Sequence, residues 1–434
     1  MVPRRRRGSV GGAPPTAVTD ASLLRLASLE RAFDTLRKAW AATALAAAIS
    51  SAAPLRVCVV GAGSIGREFA LHHFGPSTNT VVSTIVDLDL EAARALAADV
   101  GSAQSGASVV GDNKYQATVS SCEGEPVATG ASLDASVLTA CDVVYVGTPP
   151  ASHRALVLAA LDAGKHVLLE KPVAASGADA DAIVEAAEAA AVRGVRVGMN
   201  IGMRWNAALR EMRRLAVEEG ALGPLQSAHI ALHFAQWPRA WQTVAWCAGR
   251  AQGGPLREVG THFLFGLCEL LGHGAARRVR ATVTYPDGAS GSGAEIEVEG
   301  EIEMVDGLRV SLSVRTDGSG LAADGDDHYE LGVRGAEGAL LLDGFTSLKR
   351  TAPSRRKATL VKGGGYGRKE CVAALLAAVA AGEAGGGEAG RDEGGGAEGE
   401  VVAAELITAR QGRNAQRLVD AVTASGGEWV NVEN

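Results

Sequence analysis

Three short stretches of this 434-residue chain carry residue types whose spacing could do chemistry. The first is Gly61-Ala-Gly63-Ser64-Ile65-Gly66, which follows the apolar, β-branched run Leu55–Val60 and precedes a helical pattern, Arg67 to His73. A glycine loop between strand and helix turns tightly and lets a pyrophosphate approach the backbone. It also aims the free N–H groups of the helix N-terminus at the phosphates. Asp87 closes a second strand pattern, Thr80–Val86, and an acid there accepts hydrogen bonds from ribose hydroxyls. Together they predict a bound dinucleotide. Leu88 and Asp89 follow, with no Arg or Lys to meet a 2′-phosphate, so NAD is the expected cofactor and NADP the alternative.

The other two stretches hold Lys171 and the pair Glu258 and His262. Oxidising an alcohol needs a base for the hydroxyl proton while hydride leaves the carbinol carbon, and a His with a pKa of about 6.5 suits that transfer. Lys171, at a strand end and followed by Pro172, would polarise the substrate oxygen and stabilise a developing alkoxide. Glu258 stands four residues before His262, so on a helix the two side chains can touch. The acid would then fix the His tautomer or bind another hydroxyl. Each residue also has a plain reading: a solvated surface pair for Glu258 and His262, a solvent-facing strand end for Lys171.

The elements that must position these groups are readable from periodicity. Strand patterns at Asp142–Gly147, His166–Leu169 and Val195–Met199 alternate with helical patterns at Ser152–Ala163 and Asp179–Val192. Such alternation predicts parallel strands with helical crossovers, a doubly wound sheet with its ligands at the strands' carboxyl ends. Three of those ends carry Gly61–Gly66, Thr148-Pro149-Pro150 and Glu170-Lys171-Pro172. They should converge on one crevice. From about Leu225 the pattern changes to period two, at 294–304, 308–315 and 329–334, which predicts antiparallel strands with one wet face. Val259, Phe263, Leu267 and Leu270 mark the buried stripe of the helix that carries His262. Trp205, Trp237, Trp241 and Trp246 fall just before that helix, as sugar- or diol-stacking faces or as a core cluster.

With GAGSIG, the segments GTPPASH (Gly147–His153) and AGKHVLLEKP (Ala163–Pro172) strongly resemble the Gfo/Idh/MocA oxidoreductases, which include sugar, inositol and dihydrodiol dehydrogenases. The resemblance covers roughly Leu55 to Leu348, with a C-terminal helix, Glu405–Ala424, returning to it. Gly198–Asn206 looks like the family's crossing segment, here with Arg204 and Trp205. Gly253–His262 looks like its GG…DxGxH helix, with Glu258 in place of the usual Asp and Phe265 where an acid is common. The resemblance implies an α/β fold: an N-terminal Rossmann doubly wound parallel sheet, then an α+β domain with a large open antiparallel sheet. It implies an NAD(P)-dependent dehydrogenase acting on a secondary alcohol or ketone of a polyol, sugar or cyclic diol. Lys171, His262 and Glu258 would be catalytic. Gly61, Gly63, Ser64, Ile65, Gly66, Asp87, Thr148, Pro149, His153, Glu170 and Lys171 would bind the cofactor, His153 alternatively serving as a helix cap. Arg204, Trp205 and Trp241 would meet substrate. A non-catalytic dinucleotide-binding sensor and an NAD-dependent glycosidase of the same fold are the alternatives.

Composition narrows the rest. Lys plus Arg number 42 against 49 Asp plus Glu, a net charge of −7, which argues against nucleic acid or an anionic membrane as partner. The six cysteines form no CxxC pair, and no metal site is expected. Residues 1–52 read as an extension, a flexible tail plus an amphipathic helix, with an organelle transit peptide as the alternative. Residues 53–200 form the dinucleotide domain and 201–381 the substrate and oligomerisation domain. Residues 382–400 are an acidic glycine-rich loop expected to be disordered, and 401–434 a helix packing back. The cytoplasm is the expected location, a mitochondrion or plastid the alternative. A homodimer or homotetramer through the second sheet is the expected assembly.

Overall fold

The computed structural model describes residues 53–104, 127–288, 291–322, 325–352, 354, 356–384 and 406–433. The expected N-terminal tail and helix lie outside the described residues, as does the acidic loop expected at 382–400 apart from residues 382–384, which the structure places at the end of a helix.

The first half runs β1 (Leu55–Val60), α1 (Ser64–His72), β2 (Thr80–Val86), α2 (Leu90–Gln104), β3 (Ala128–Gly130) and α3 (Ala135–Thr139). It continues through β4 (Val143–Val146), α4 (His153–Asp162), β5 (His166–Glu170), α5 (Gly177–Val192) and β6 (Val197–Asn200). The six strands are all parallel in the order β3-β2-β1-β4-β5-β6. The winding reverses between β1 and β4, which opens a crevice at their carboxyl ends. A parallel sheet covered on both faces needs apolar residues at successive positions. Along β1, Val57 and Val59 pack with Phe69, Ile85 and Leu96, while Cys58 and Val60 share the opposite core with Val157, Leu161 and Val184.

The second half contains α6 (Ala207–Arg213), β7 (Leu225–His233), α7 (Thr261–Leu271), β8 (Ala276–Thr284), β9 (Glu297–Met304) and β10 (Arg309–Arg315). Then come β11 (His328–Gly335), β12 (Gly338–Asp343), β13 (Ser347–Thr351), β14 (Lys357–Val361), α8 (Arg368–Ala384), α9 (Ala409–Ala424) and β15 (Val430–Asn431). The strands form one nine-stranded sheet, β14-β13-β12-β11-β7-β10-β9-β8-β15. It is antiparallel as the alternation predicts, apart from one parallel pair, β7 with β10. The chain leaves β7 through α7 and returns by the β8–β9–β10 meander, so β10 arrives running the same way as β7. Val310, Leu312 and Val314 point inward from β10. On the other face, Arg309 pairs with Glu301 and Arg315 with Glu299.

Two late helices complete the first sheet. Val372, Leu375, Leu376 and Val379 of α8 pack with Val57, Phe69 and Leu168. Leu418, Val419 and Val422 of α9 join the opposite core. Thr408 and Gln411 start α9 with a reciprocal capping box. Just before it, the Ile407 carbonyl accepts the Met199 N–H at 2.8 Å, so the outer edge of β6 is paired rather than bare.

Candidate active site

The glycine loop at the carboxyl end of β1 separates three jobs. Gly61 has φ +104°, and a Cβ there would lie 2.5 Å from the Gly147 oxygen. A Cβ on Gly66 would lie 1.8 Å from the Gly61 oxygen, so only glycine lets α1 pack this close to the turn. A Cβ on Gly63 would meet nothing within 4 Å. Gly63 also precedes α1, whose first turn has no side-chain cap. Ser64 and Ile65 therefore present uncapped amides to open space. The Asp87 carboxylate accepts the Ala62 N–H at 2.7 Å and the Asp89 N–H at 2.8 Å, which holds it against the loop. This set fits a dinucleotide. The phosphates would lie over Gly63, Ser64 and Ile65, with Asp87 beside a ribose.

The loop after β4 forms the next wall. The Thr148 and Ser152 hydroxyls bond at 2.7 Å, and Pro149 is exposed. His153 is fully buried beneath them. Its Nε2 bonds the Thr148 carbonyl at 2.8 Å, and its Nδ1 faces the Pro172 and Val173 carbonyls at 3.1 Å each. Burial pulls its pKa down. Both ring nitrogens are engaged by backbone, so His153 ties two crevice loops together and does not enter the crevice as expected. Glu170 calls for the same correction. It is buried, accepts from the Tyr145 hydroxyl at 2.8 Å and from the Asn200 amide, and holds the Lys171 N–H at 3.3 Å. Burial pushes its carboxyl pKa up. Its carboxylate is taken up by Tyr145, Asn200 and the Lys171 N–H, and so supports the strand end.

Lys171 leaves β5 and crosses to the other half of the site. Its Nζ donates to Glu258 Oε1 and to the Glu258 carbonyl, both at 3.0 Å, in an ion pair whose side chains are 14% and 12% exposed. Glu258 sits in a π-helical turn, Leu256–Gly260, that runs directly into α7. Such turns are frequent at functional sites. The sequence spacing suggested a Glu258–His262 contact, but the structure gives each residue another partner. The ammonium of Lys171 takes the carboxylate, and the Tyr366 hydroxyl bonds Nδ1 of His262. His262 also stands edge-on to Phe345 and Tyr366, with centroids 5.8 and 5.2 Å away. Burial, reinforced by Lys171, drops its pKa well below the usual value.

Of the three residues expected to touch substrate, two are held elsewhere. Arg204 makes a two-pronged pair with Glu269, 2.6 Å at its shortest, and both side chains are only 13% exposed. Trp205 packs on the core beneath the Arg210 guanidinium, 4.8 Å from its ring. Trp241 is 64% exposed, with Arg239 stacked 4.5 Å from its ring. Phe265, where an acid was expected, is fully buried, and Tyr366 orients the His instead. Sequence reading missed Tyr366. The available signal was a tyrosine set inside a glycine run, Gly363-Gly-Gly-Tyr-Gly367, in a chain with five tyrosines.

Residues 55–199 match the oxidoreductase family with an NAD-binding Rossmann fold, the family that groups the Gfo, Idh and MocA proteins. The chain belongs to the Gfo/Idh/MocA family. It is 34% identical over 177 residues to an inositol 2-dehydrogenase of Acidiphilium cryptum, covering 41% of this chain and 45% of that protein. It is 30% identical over 253 residues to a 1,5-anhydro-D-fructose reductase of Ensifer adhaerens, covering 58% and 66%. The chain thus spans about half to two thirds of the length of these curated relatives. A levoglucosan dehydrogenase solved with NADH and levoglucosan shares the fold of this Gfo/Idh/MocA chain, with a TM-score of 0.64 at 19% identity over 88% of this chain and 100% of that one.

Proposed function

We propose that this protein is an NAD-dependent oxidoreductase that interconverts a secondary alcohol and its ketone on a sugar, polyol or cyclic diol. The observation that carries the reading is the Lys171–Glu258 pair. It joins the carboxyl end of β5, in the same sheet as the glycine-loop strand β1, to the turn that runs into the helix bearing His262, which supports a site shared by nucleotide-binding and proton-handling groups. The similarity to an inositol dehydrogenase and a sugar reductase supports the substrate class.

Bound nicotinamide would supply the hydride acceptor or donor. The protein's part is the substrate oxygen. Lys171, paired with Glu258, would stabilise negative charge as the oxygen becomes alkoxide-like and would exchange its proton. His262 would make the second contact to that oxygen. Asp87 and Asp89 favour NAD, since both would repel a 2′-phosphate. Trp241 remains a candidate stacking face for the ring of the substrate. Five free, buried cysteines among the described residues suit a reducing compartment, and we propose the cytoplasm. We also propose a homodimer or homotetramer through the outer face of the nine-stranded sheet.

The deciding experiment follows NADH absorbance across sugars, inositols and cyclic diols with NAD and with NADP, and measures nucleotide binding alongside. Turnover with one class, reduced about 100-fold or more in Lys171→Ala, is the expected result. Tight nucleotide binding with no turnover would replace the reading with the sensor or glycosidase alternative.

A further inference from the structure

The hidden side of His262 decides which of its ring nitrogens carries the proton. There Nδ1 meets the Tyr366 hydroxyl. The phenol ring is wedged between Phe345, 5.4 Å away, and the Gly202 backbone, where a Cβ would come within 3.0 Å of the ring. A tyrosine hydroxyl has one proton and two lone pairs, and a desolvated donor left without an acceptor costs about 1–3 kcal/mol. Among the described residues, the hydrogen-bond partner placed to take the Tyr366 hydroxyl proton is His262 Nδ1. If Nδ1 carried the hydrogen instead, two donors would face each other or the phenol proton would be stranded.

We infer that Tyr366 is a positioning residue that donates its hydroxyl proton to Nδ1 of His262 and so holds the imidazole as the neutral Nε2–H tautomer. The surroundings agree. The charged groups facing His262 are Lys171, Arg368 and Arg239, all cations, which with burial oppose an imidazolium. Those facing Tyr366 are Arg368, Glu170 and the Cys371 thiol, and burial keeps the phenol protonated. Resting on the oxidoreductase reading, His262 then meets the substrate oxygen as a hydrogen-bond donor, not as the base that its residue type suggests. A neutral imidazole in that state polarises a carbonyl without giving up its proton. The proton that does move belongs to Lys171. In the reductive direction its N–H bond breaks, the pair stays on nitrogen and the new O–H bond forms on the alkoxide oxygen.

The test is nitrogen-15 spectroscopy of the histidine rings in the full chain, with His262→Gln assigning the signal. The expected spectrum shows protonated Nε2 and bare Nδ1, unchanged between about pH 6 and 9. In Tyr366→Phe the His262 signals should move to an exchanging mixture. Ketone reduction should fall about tenfold with nucleotide binding intact, the size of one lost hydrogen bond. Protonated Nδ1, a titration near the ordinary histidine value, or wild-type His262 signals in Tyr366→Phe would each overturn the assignment. So would an unchanged reduction rate in that variant. A wild-type protein that turns over no substrate would instead overturn the oxidoreductase reading, while the tautomer spectrum still decides the role of Tyr366.

Discussion

A single methyl group distinguishes the loop glycines. Gly63 has a φ of −68°, open to any residue, and its Cβ direction is clear of protein. Gly63→Val should therefore keep the wild-type melting temperature yet weaken NAD binding tenfold or more, about 1.4 kcal/mol, in a calorimetric titration. Gly66→Ala should instead fail to fold normally, because its methyl would strike the Gly61 carbonyl. A Gly63→Val protein with unchanged affinity would remove the phosphate from this loop. Residues such as these were legible in the sequence because their chemistry is local: a turn, a strand end, an acid after a strand. Arg204, Glu170 and His153 were not. Each has a polar side chain at a place that suggests a ligand, but each is claimed by a partner distant in sequence, Glu269, Asn200 and Val173 among them.

At the scale of elements, period two and the strand–helix alternation located the sheets, while packing on every side concealed α8. From Cys371 to Val379 every residue but Ala373 is buried, so no apolar stripe stands out against a polar face. The π-helical turn before α7 was equally invisible, since Gly254-Pro255 announces a helix start without stating its pitch. Helix α9 is pinned by Arg413, whose guanidinium bonds Asp181 of α5 at 2.8 Å and Asp420 of its own helix at 2.7 Å. Gln416, fully buried, bonds both the N–H and the carbonyl of Ala174. Arg413→Ala should cost about 2–3 kcal/mol in urea unfolding, less than a fully enclosed pair because the two acids are partly exposed. A loss within about 0.5 kcal/mol would show that α9 is held by its apolar face alone.

For the whole molecule, His166 and Glu269 are among the groups that shape the response to acid. Burial lowers His166 to about 4, and its Nδ1 accepts the Arg196 N–H at 3.0 Å. Burial alone would raise Glu269, but its bonds to His273 and Arg204 hold it at about 2. Both folded values lie below the unfolded ones, so each contributes stability at neutral pH that is lost on acidification. The His166 share fades from about pH 6.5 to 4, and the Glu269 share from about 4.5 to 2. Melting curves should fall in those two windows, with His166→Gln shrinking the first drop, which the buried His153 and His262 share, and Glu269→Gln shrinking the second. The charged outer face of the large sheet gives a separate expectation. An assembly through it should dissociate as salt rises, seen by sedimentation, whereas salt-insensitive oligomers would place the contact elsewhere.

The placement of α8 and α9 also bears on how the protein is born. Phe69, Leu168 and Met199 belong to the first half of the chain, yet the side chains and the carbonyl that cover them come from residues beyond 367. On the ribosome, the nucleotide-binding sheet must therefore wait, with greasy surface and a bare strand edge, until α8 and the segment leading into α9 have been made. That interval is when such a chain is most open to chaperones and to aggregation.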